Sequence, residues 1–222
     1  MYKHILKRLA DIILAFIGAI VLLTVFLIVA IAIFIDDPGP VFFKQKRVGK
    51  NKKLFWLHKF RSMKVKTPDV PTHLLADPAQ YITRVGRFLR KTSLDELPQV
   101  YDILFGKMSI IGPRPALWNQ DDLIAERDKY GANDVKPGLT GWAQINGRDE
   151  LEIPVKAKLD GEYVAKLNAG KFRGLAMDIK CFFGTFLSVL RSDGVVEGGT
   201  GELNKQQAQE AEETAQEQEA VK

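Results

Sequence analysis

From Ile12 to Ile35 the chain runs for 24 residues without a charged side chain. A straight helix of that length reaches about 36 Å, enough to cross a hydrocarbon core of about 30 Å. Ala30-Ile31-Ala32 has the small-residue form of a signal-peptide cleavage site. It lies inside the apolar run, however, and the stretch before it is longer than a signal's apolar region. The segment therefore reads as a retained membrane helix, stopped by Asp36-Asp37-Pro38-Gly39-Pro40.

The flanks set its orientation. Lys3, Lys7 and Arg8 precede the run, and ten lysines and arginines lie between Lys44 and Lys66 with no acid among them. The positive-inside rule places the downstream side in the cytoplasm. A basic upstream flank leaves two topologies open: a re-entrant helix that dips into the bilayer and returns, or a single-pass helix with a short translocated N-terminus. Cations beside anionic headgroups attract by about 1 kcal/mol each, which makes lipid a more economical partner than nucleic acid for this basic stretch. Arg8 and Asp11 stand three apart and are expected to form a structural ion pair at the membrane boundary.

Charge is also distributed unevenly at the other end. The 222 residues carry a net charge of +5, yet Glu202–Lys222 holds six glutamates against two lysines and no aromatic residue. The segment 201–222 is thus expected to be a disordered acidic tail. Cys181 is the sole cysteine, which excludes an intramolecular disulfide, and three histidines leave little material for a Cys/His zinc site.

Between these ends the patterning is mainly helical with one small β-hairpin. Val41–Lys46 and Leu54–Lys59 are aromatic and β-branched runs separated by Gly49, Lys50 and Asn51, which predicts the hairpin. Arg84–Lys91 and Glu96–Phe105 carry helical periodicity, and residues 67–78 read as a loop. In 172–190, Phe172, Leu175, Ile179, Phe182, Phe183 and Phe186 form a wide apolar stripe. Such a stripe is core in a soluble protein; beside a membrane anchor it also suits a helix lying at the interface. The expected organisation is a membrane-inserted helix over 1–37, a catalytic domain over 38–200 and the tail.

Three clusters can carry chemistry. In Thr92-Ser93-Leu94-Asp95-Glu96-Leu97-Pro98, the spacing Ser93-x-x-Glu96 matches a capping box. The same residues also place two carboxylates side by side. Asp95, ionised at neutral pH in its unperturbed form, can attack an electrophile without a base. Asp95 and Glu96 would repel a phosphate substrate, and Mg²⁺ held between them would remove that conflict. In Ile111-Gly112-Pro113-Arg114-Pro115, the flanking prolines stiffen Arg114, whose guanidinium suits two-pronged phosphate binding. The Gly-rich turn from Pro137 to Arg148 offers Gln144 and Arg148 as polar handles. No Walker A loop, dinucleotide fingerprint or HExxH motif is present.

Lys7-Arg8-x-x-Asp11, Lys59-Phe60-Arg61-Ser62-Met63, Arg87-x-x-Arg90-Lys91-Thr92-Ser93-Leu94-Asp95-Glu96-Leu97-Pro98-Gln99, Met108-Ser109-Ile110-Ile111-Gly112-Pro113-Arg114-Pro115 and Pro137-Gly138-Leu139-Thr140-Gly141 occur in that order. Over roughly residues 1–200 the chain resembles the bacterial sugar transferases that act on polyprenyl phosphate, the small monotopic phosphoglycosyl transferases. The resemblance implies transfer of sugar-1-phosphate from a UDP-sugar to undecaprenyl phosphate with release of UMP. It implies Asp95 as nucleophile of a covalent phosphosugar-aspartyl intermediate, with Glu96 binding Mg²⁺ or assisting the second step. Arg114 would grip phosphate, with Lys59, Arg90, Gln144 and Arg148 as further phosphate or nucleotide contacts. A re-entrant helix, interfacial amphipathic helices and a catalytic domain on the cytoplasmic face of the bacterial inner membrane are also implied. A homodimer stays open. Family members often break the membrane helix with a Ser-Pro pair, whereas here Leu22-Leu23-Thr24-Val25-Phe26 contains no proline. Thr24, bonding back to a preceding carbonyl, is a weak bending element in its place. Two other functions fit the sequence: a glycosyltransferase that releases UDP, and a non-catalytic membrane-anchored assembly protein.

Overall fold

The computed structural model describes residues 2–68, 77–147 and 150–191. The acidic tail lies outside them, as do Arg148 and most of the 67–78 loop. A π-helical turn, Tyr2–Leu6, leads into α1 (Lys7–Val21) and α2 (Leu23–Asp36). The strands β1 (Phe42–Val48) and β2 (Leu54–Phe60) follow. Then come α3 (Arg84–Lys91), α4 (Gln99–Leu104), β3 (Ser109–Ile111), α5 (Asp121–Asp128) and β4 (Gly138–Thr140). The described chain closes with α6 (Trp142–Ile145), α7 (Ile153–Asn168) and α8 (Lys171–Arg191).

The apolar run is not one straight helix. Among the described residues no single helix is long and apolar enough to cross a membrane; α1 and α2 together are, but they are bent by 58°. The bend falls at Leu22, where ψ opens to −2° while its N–H still reaches Gly18 O at 2.9 Å. Thr24, two residues on, is exposed and is not where the chain turns. Tertiary packing accounts for the bend. The inner edge of the pair, Ala15, Phe26, Val29 and Ile33, belongs to one apolar cluster with Leu57, Phe60, Leu89, Ile103 and Met108. Phe26 sits between Phe60 and Tyr101, with ring centroids at 5.1 and 5.7 Å. A straight helix could follow this curved surface over only part of its length. The outer edge, including Leu23, Leu27, Ile31 and Ile35, is exposed.

Both ends of the bent pair are tied to the same domain. Arg8 donates to the carbonyls of Ile103 and Leu104 at 2.6 and 2.9 Å. Asp11 accepts from Ser109 Oγ at 2.8 Å and from Ile110 N at 3.0 Å. The expected Arg8–Asp11 ion pair is therefore replaced: the cation meets the carbonyl end of α4 and the acid meets β3, each satisfying backbone or hydroxyl groups beside an apolar surface. At the far end, Asp36 accepts from Val85 N at 2.8 Å, and Asp37 Oδ2 takes Arg61 Nη1 at 2.5 Å and Val65 N at 2.8 Å.

The hairpin forms in the predicted place. Its antiparallel register runs from Phe42↔Phe60 to Val48↔Leu54, and Asn51 and Lys52 turn the chain with φ of 55° and 60°. A second, parallel pair joins β3 to β4, Ser109↔Gly138 and Ile111↔Thr140, and was not expected from the sequence. Glycines allow it: a Cβ on Gly138 would lie 2.1 Å from Gly112 N.

In α8 the stripe seen in the sequence faces outward. Phe172, Phe183, Phe186 and Leu187 are exposed, whereas Gly174, Met177, Asp178 and Cys181 face the domain. Asp178 is the polar centre of that buried side, accepting from Tyr2 Oη at 2.5 Å, Lys7 Nζ at 2.9 Å and Tyr163 Oη at 2.9 Å. The stripe is therefore not core: its large side chains lie exposed.

Candidate active site

The carboxylate pair lies on a single 3₁₀ turn, Leu94–Glu96, entered through Ser93 in the left-handed region at φ 56°. No side-chain cap bond forms at Ser93, so the capping-box reading is not realised. The carboxylate of Glu96 is committed elsewhere. Leu94 and Leu97, on either side of the pair, pack against the apolar cluster that holds Phe26, Val29 and Ile33. The turn rests on β2 and α3, and its two leucines join the same apolar cluster as the bent helix pair.

Asp95 and Glu96 are 8% and 7% exposed. Arg114 reaches Glu96 as a fork, Nη2 to Oε1 at 2.6 Å and Nη1 to Oε2 at 3.1 Å. Lys59 Nζ donates to the same Glu96 Oε1 at 2.8 Å and lies 3.6 Å from Asp95 Oδ2. Arg90 donates through Nε to Ser62 Oγ at 2.9 Å, and its charge is felt at Asp95. The two acids therefore differ: Glu96 is gripped by two cations, while Asp95 has one ammonium just beyond hydrogen-bond range.

Burial raises the pKa of Asp95 above its ordinary 3.8; Lys59, Arg114 and Arg90 pull it down, and Glu96 pushes it up. A carboxylate stripped of water and short of hydrogen bonds is a better nucleophile once ionised than one in solution.

Each functional side chain is placed by an identifiable contact. The strand β2 is fixed by Asp102, fully buried on α4, which takes His58 N at 2.9 Å and lies 2.9 Å from His58 Nδ1. Lys59, the next residue, is aimed at Glu96 and Asp95. The Arg114 loop leaves the end of β3, where Pro113 O accepts from Gly138 N at 2.9 Å. Gly86 lets α3 sit on the backbone of Ser62, since a Cβ there would be 1.9 Å from Ser62 O. That seats Arg90 against Ser62 Oγ.

A profile of bacterial sugar transferases matches residues 2–192. The chain belongs to the bacterial sugar transferase family. Among its relatives in that family, the UDP-glucose:undecaprenyl-phosphate glucose-1-phosphate transferase of Escherichia coli K12 is 40% identical over 175 residues, 73% of this chain and 36% of the relative. An uncharacterized sugar transferase, EpsL, of Bacillus subtilis 168 is 38% identical over 191 residues, 86% of this chain and 90% of the relative. The undecaprenyl-phosphate galactose phosphotransferase of Salmonella typhimurium LT2 is 39% identical over 173 residues, 71% of this chain and 35% of the relative. The chain thus spans about a third of the Escherichia and Salmonella relatives and nearly the whole of the Bacillus one.

Of the site residues expected from sequence in this sugar transferase, Asp95, Glu96, Lys59, Arg114 and Arg90 converge. Gln144 is buried at the base of the Gly-rich turn. Its Nε2 donates to Leu139 O at 2.9 Å, and its Oε1 lies buried beside Gly141 with no hydrogen-bond partner among the described residues. Sequence reasoning gave no role to Ser62, His58 or Asp102. An acid at 102, amid the apolar positions Val100, Ile103 and Leu104 of a helical pattern, was the available signal for the last. Among the described residues no group of three or more His, Cys, Asp or Glu gathers around a point. Two neighbouring carboxylates are nevertheless a suitable donor set for Mg²⁺, which commonly takes one or two from protein and the rest from phosphate and water.

Proposed function

We propose that this chain transfers sugar-1-phosphate from a UDP-sugar to undecaprenyl phosphate, releasing UMP, as a membrane-bound first step in assembling a surface glycan. The names of the Escherichia and Salmonella relatives support the reaction class. The observation that carries the mechanism is the unequal treatment of the carboxylates, Glu96 clamped by two cations and Asp95 buried with Lys59 at the longer distance of 3.6 Å. An Asp95 carboxylate oxygen attacks the sugar-bearing phosphorus, and the bond from that phosphorus to the bridging oxygen breaks as UMP departs with the electron pair. An oxygen of the lipid phosphate then attacks the same phosphorus, and the Asp95 carboxylate leaves. Lys59 and Arg114 offset the charge that builds on the phosphate oxygens, and Glu96 holds both cations in place. Mg²⁺ held by Asp95 and Glu96 would add positive charge at the diphosphate.

We further read the bent pair as re-entrant, with the domain on the cytoplasmic face of the inner membrane. The support is that Arg8 and Asp11 at one end, and Asp36 and Asp37 at the other, bond to one domain. Single cysteines at Lys3 and Lys53, in a chain with Cys181 replaced, test it: labelling of both from the cytoplasmic side fits, and labelling from opposite sides refutes it. The reaction is tested by incubating the chain with undecaprenyl phosphate, Mg²⁺ and a panel of UDP-sugars. UMP is the expected nucleotide. UDP instead would mean transfer of sugar alone and would remove the role of Asp95.

A further inference from the structure

A cavity of about 130 Å³ lies away from the carboxylate pair, where the start of α1 meets β3, the tip of the hairpin and the segment before β4. Its charged lining is Lys3, Lys7, Arg8, Lys50 and Lys136 against Asp11 and Asp134. None of the carboxylate-site residues contributes to it. The volume admits several waters or one small tetrahedral anion with part of its hydration.

The cations are not balanced by the acids beside them. Five cations face the two lining acids, Asp11 and Asp134, and Lys7 is paired outside the lining with Asp178 at 2.9 Å, which leaves a net positive charge. Arg8 is bonded to two carbonyls, which supply dipole but no counter-charge. Lys136 is half-buried, and neither its ammonium group nor that of Lys50 has an ion pair or hydrogen bond among the described residues. Their neighbourhood is close: a Cβ on Gly106 would lie 3.3 Å from Arg8 Nη2 and 3.5 Å from Lys136 Nζ. Burial first, then Arg8 and, more weakly, Lys50 lower the pKa of Lys136, and Asp11 offsets part of that shift. Arg8 and Lys136 thus share a partly dehydrated space whose lining also carries the exposed Lys50, an arrangement that an oxyanion relieves.

We propose that this pocket binds a phosphate oxyanion through Arg8, Lys50 and Lys136, at a site separate from Asp95 and Glu96. Arg8 lies four residues before the uncharged run begins. The pocket therefore opens at the depth where the helix pair would meet lipid headgroups, and the same chemistry serves a headgroup phosphate or a free phosphate ion.

The test uses the full chain in a phosphate-free maltoside detergent, following thermal unfolding at constant ionic strength. One arm titrates inorganic phosphate, and the other titrates short-chain phosphatidylglycerol against a diacylglycerol lacking phosphate. The wild-type midpoint should rise and saturate with a phosphate-bearing ligand. Arg114→Gln should keep that rise, which separates this pocket from the carboxylate site. The double variant Lys50→Gln/Lys136→Gln should bind about thirtyfold more weakly, from about 1 kcal/mol per cation. Lys50→Gln alone, at an exposed turn, gives a weakened response even where the double variant folds poorly. Stronger response to the lipid assigns the site to a headgroup, and stronger response to the ion assigns it to free phosphate. No saturable response to either ligand overturns the proposal. So does a response unchanged by the lysine variants or abolished by Arg114→Gln.

Discussion

Replacing Arg114 by lysine keeps the charge and removes the fork. In the resting site the fork makes two contacts to Glu96, at 2.6 and 3.1 Å, and Lys59 makes a third at 2.8 Å. A charge-assisted hydrogen bond contributes about 1.5–3 kcal/mol where water is excluded. The Arg114 side chain is 26% exposed against 9% for Glu96, so water replaces part of the lost contact, and lysine retains at most one of the two. The expected loss of stability is about 1 kcal/mol, or about 2–4 °C in the unfolding midpoint for a chain of this size. Such a loss leaves a protein of ordinary stability folded. Activity should respond far more, because a single ammonium cannot hold two phosphate oxygens in the plane that the guanidinium presents. Loss of a transition-state donor of this kind costs about 10²–10³ in kcat. The assay is UMP release under saturating lipid acceptor, with kcat and KM for the UDP-sugar measured separately beside a thermal melt. A variant that keeps the wild-type kcat/KM refutes the phosphate-gripping role. A kcat/KM loss fully accounted for by unfolded protein leaves Arg114 as a purely structural partner of Glu96.

Asp95→Asn should abolish turnover without lowering the unfolding midpoint at neutral pH. The folded pKa of Asp95 is raised above 3.8 by burial, so the unfolded chain ionises first as pH rises, and stability is lost between the unfolded and folded pKa values. The neutral variant escapes that loss and gains nothing below it, so the two melts should converge in acid; a variant less stable than wild type at pH 7 contradicts this. Activity in the wild type should fall on the acid side at a pH above that of an ordinary carboxylate, as a kcat–pH profile can read. Asp102→Ala deprives His58 N of its acceptor in a fully buried place and should destabilise by about 1–3 kcal/mol. It should also slow turnover through Lys59, with Asp102→Asn restoring part of both; an unchanged melt rules out the anchoring role. Gly86→Ala places a Cβ 1.9 Å from Ser62 O and should cost about 3 kcal/mol by forcing α3 away; an unchanged denaturation midpoint refutes that close packing.

Local signals made much of this fold legible. The hairpin was readable because its alternating aromatic runs are separated by turn residues, and α3 and α4 because their periodicity is regular. The β3–β4 pair was not, since two three-residue strands carry too little pattern, and their pairing depends on a glycine contact between segments 26 residues apart. The outward stripe of α8 could be listed residue by residue, but its direction follows from Asp178, a polar centre that Tyr2 and Lys7 of the N-terminal segment build together with Tyr163 of α7. At the site, contiguous motifs identified Asp95, Glu96 and Arg114. Their division of labour was hidden, because it depends on where β2 delivers Lys59. The partners of Arg8 and Asp11 were hidden for the same reason: helical spacing allowed them to meet each other, whereas α4 and β3 bind them separately.

The bend at Leu22 connects these observations. A run without proline has no local reason to turn by 58°, and its outer edge, exposed throughout, supplies none. The reason lies on the inner edge, where Ala15 precedes the bend and Phe26, Val29 and Ile33 follow it in a cluster shared with α3, α4 and β2. Straightening the pair would pull one half off that cluster and expose several large side chains, at a cost of about 1.5–3 kcal/mol for each one fully exposed. The same cluster receives Leu94 and Leu97, the residues bracketing Asp95 and Glu96. One apolar cluster therefore touches both the bent pair and the turn that carries the carboxylates. That turn itself rests on β2 and α3, which share the cluster with the bent pair. Under the proposed reaction, in which a water-soluble sugar nucleotide meets a lipid phosphate, a core shared by the apolar helix pair and the Asp95 turn is the arrangement expected.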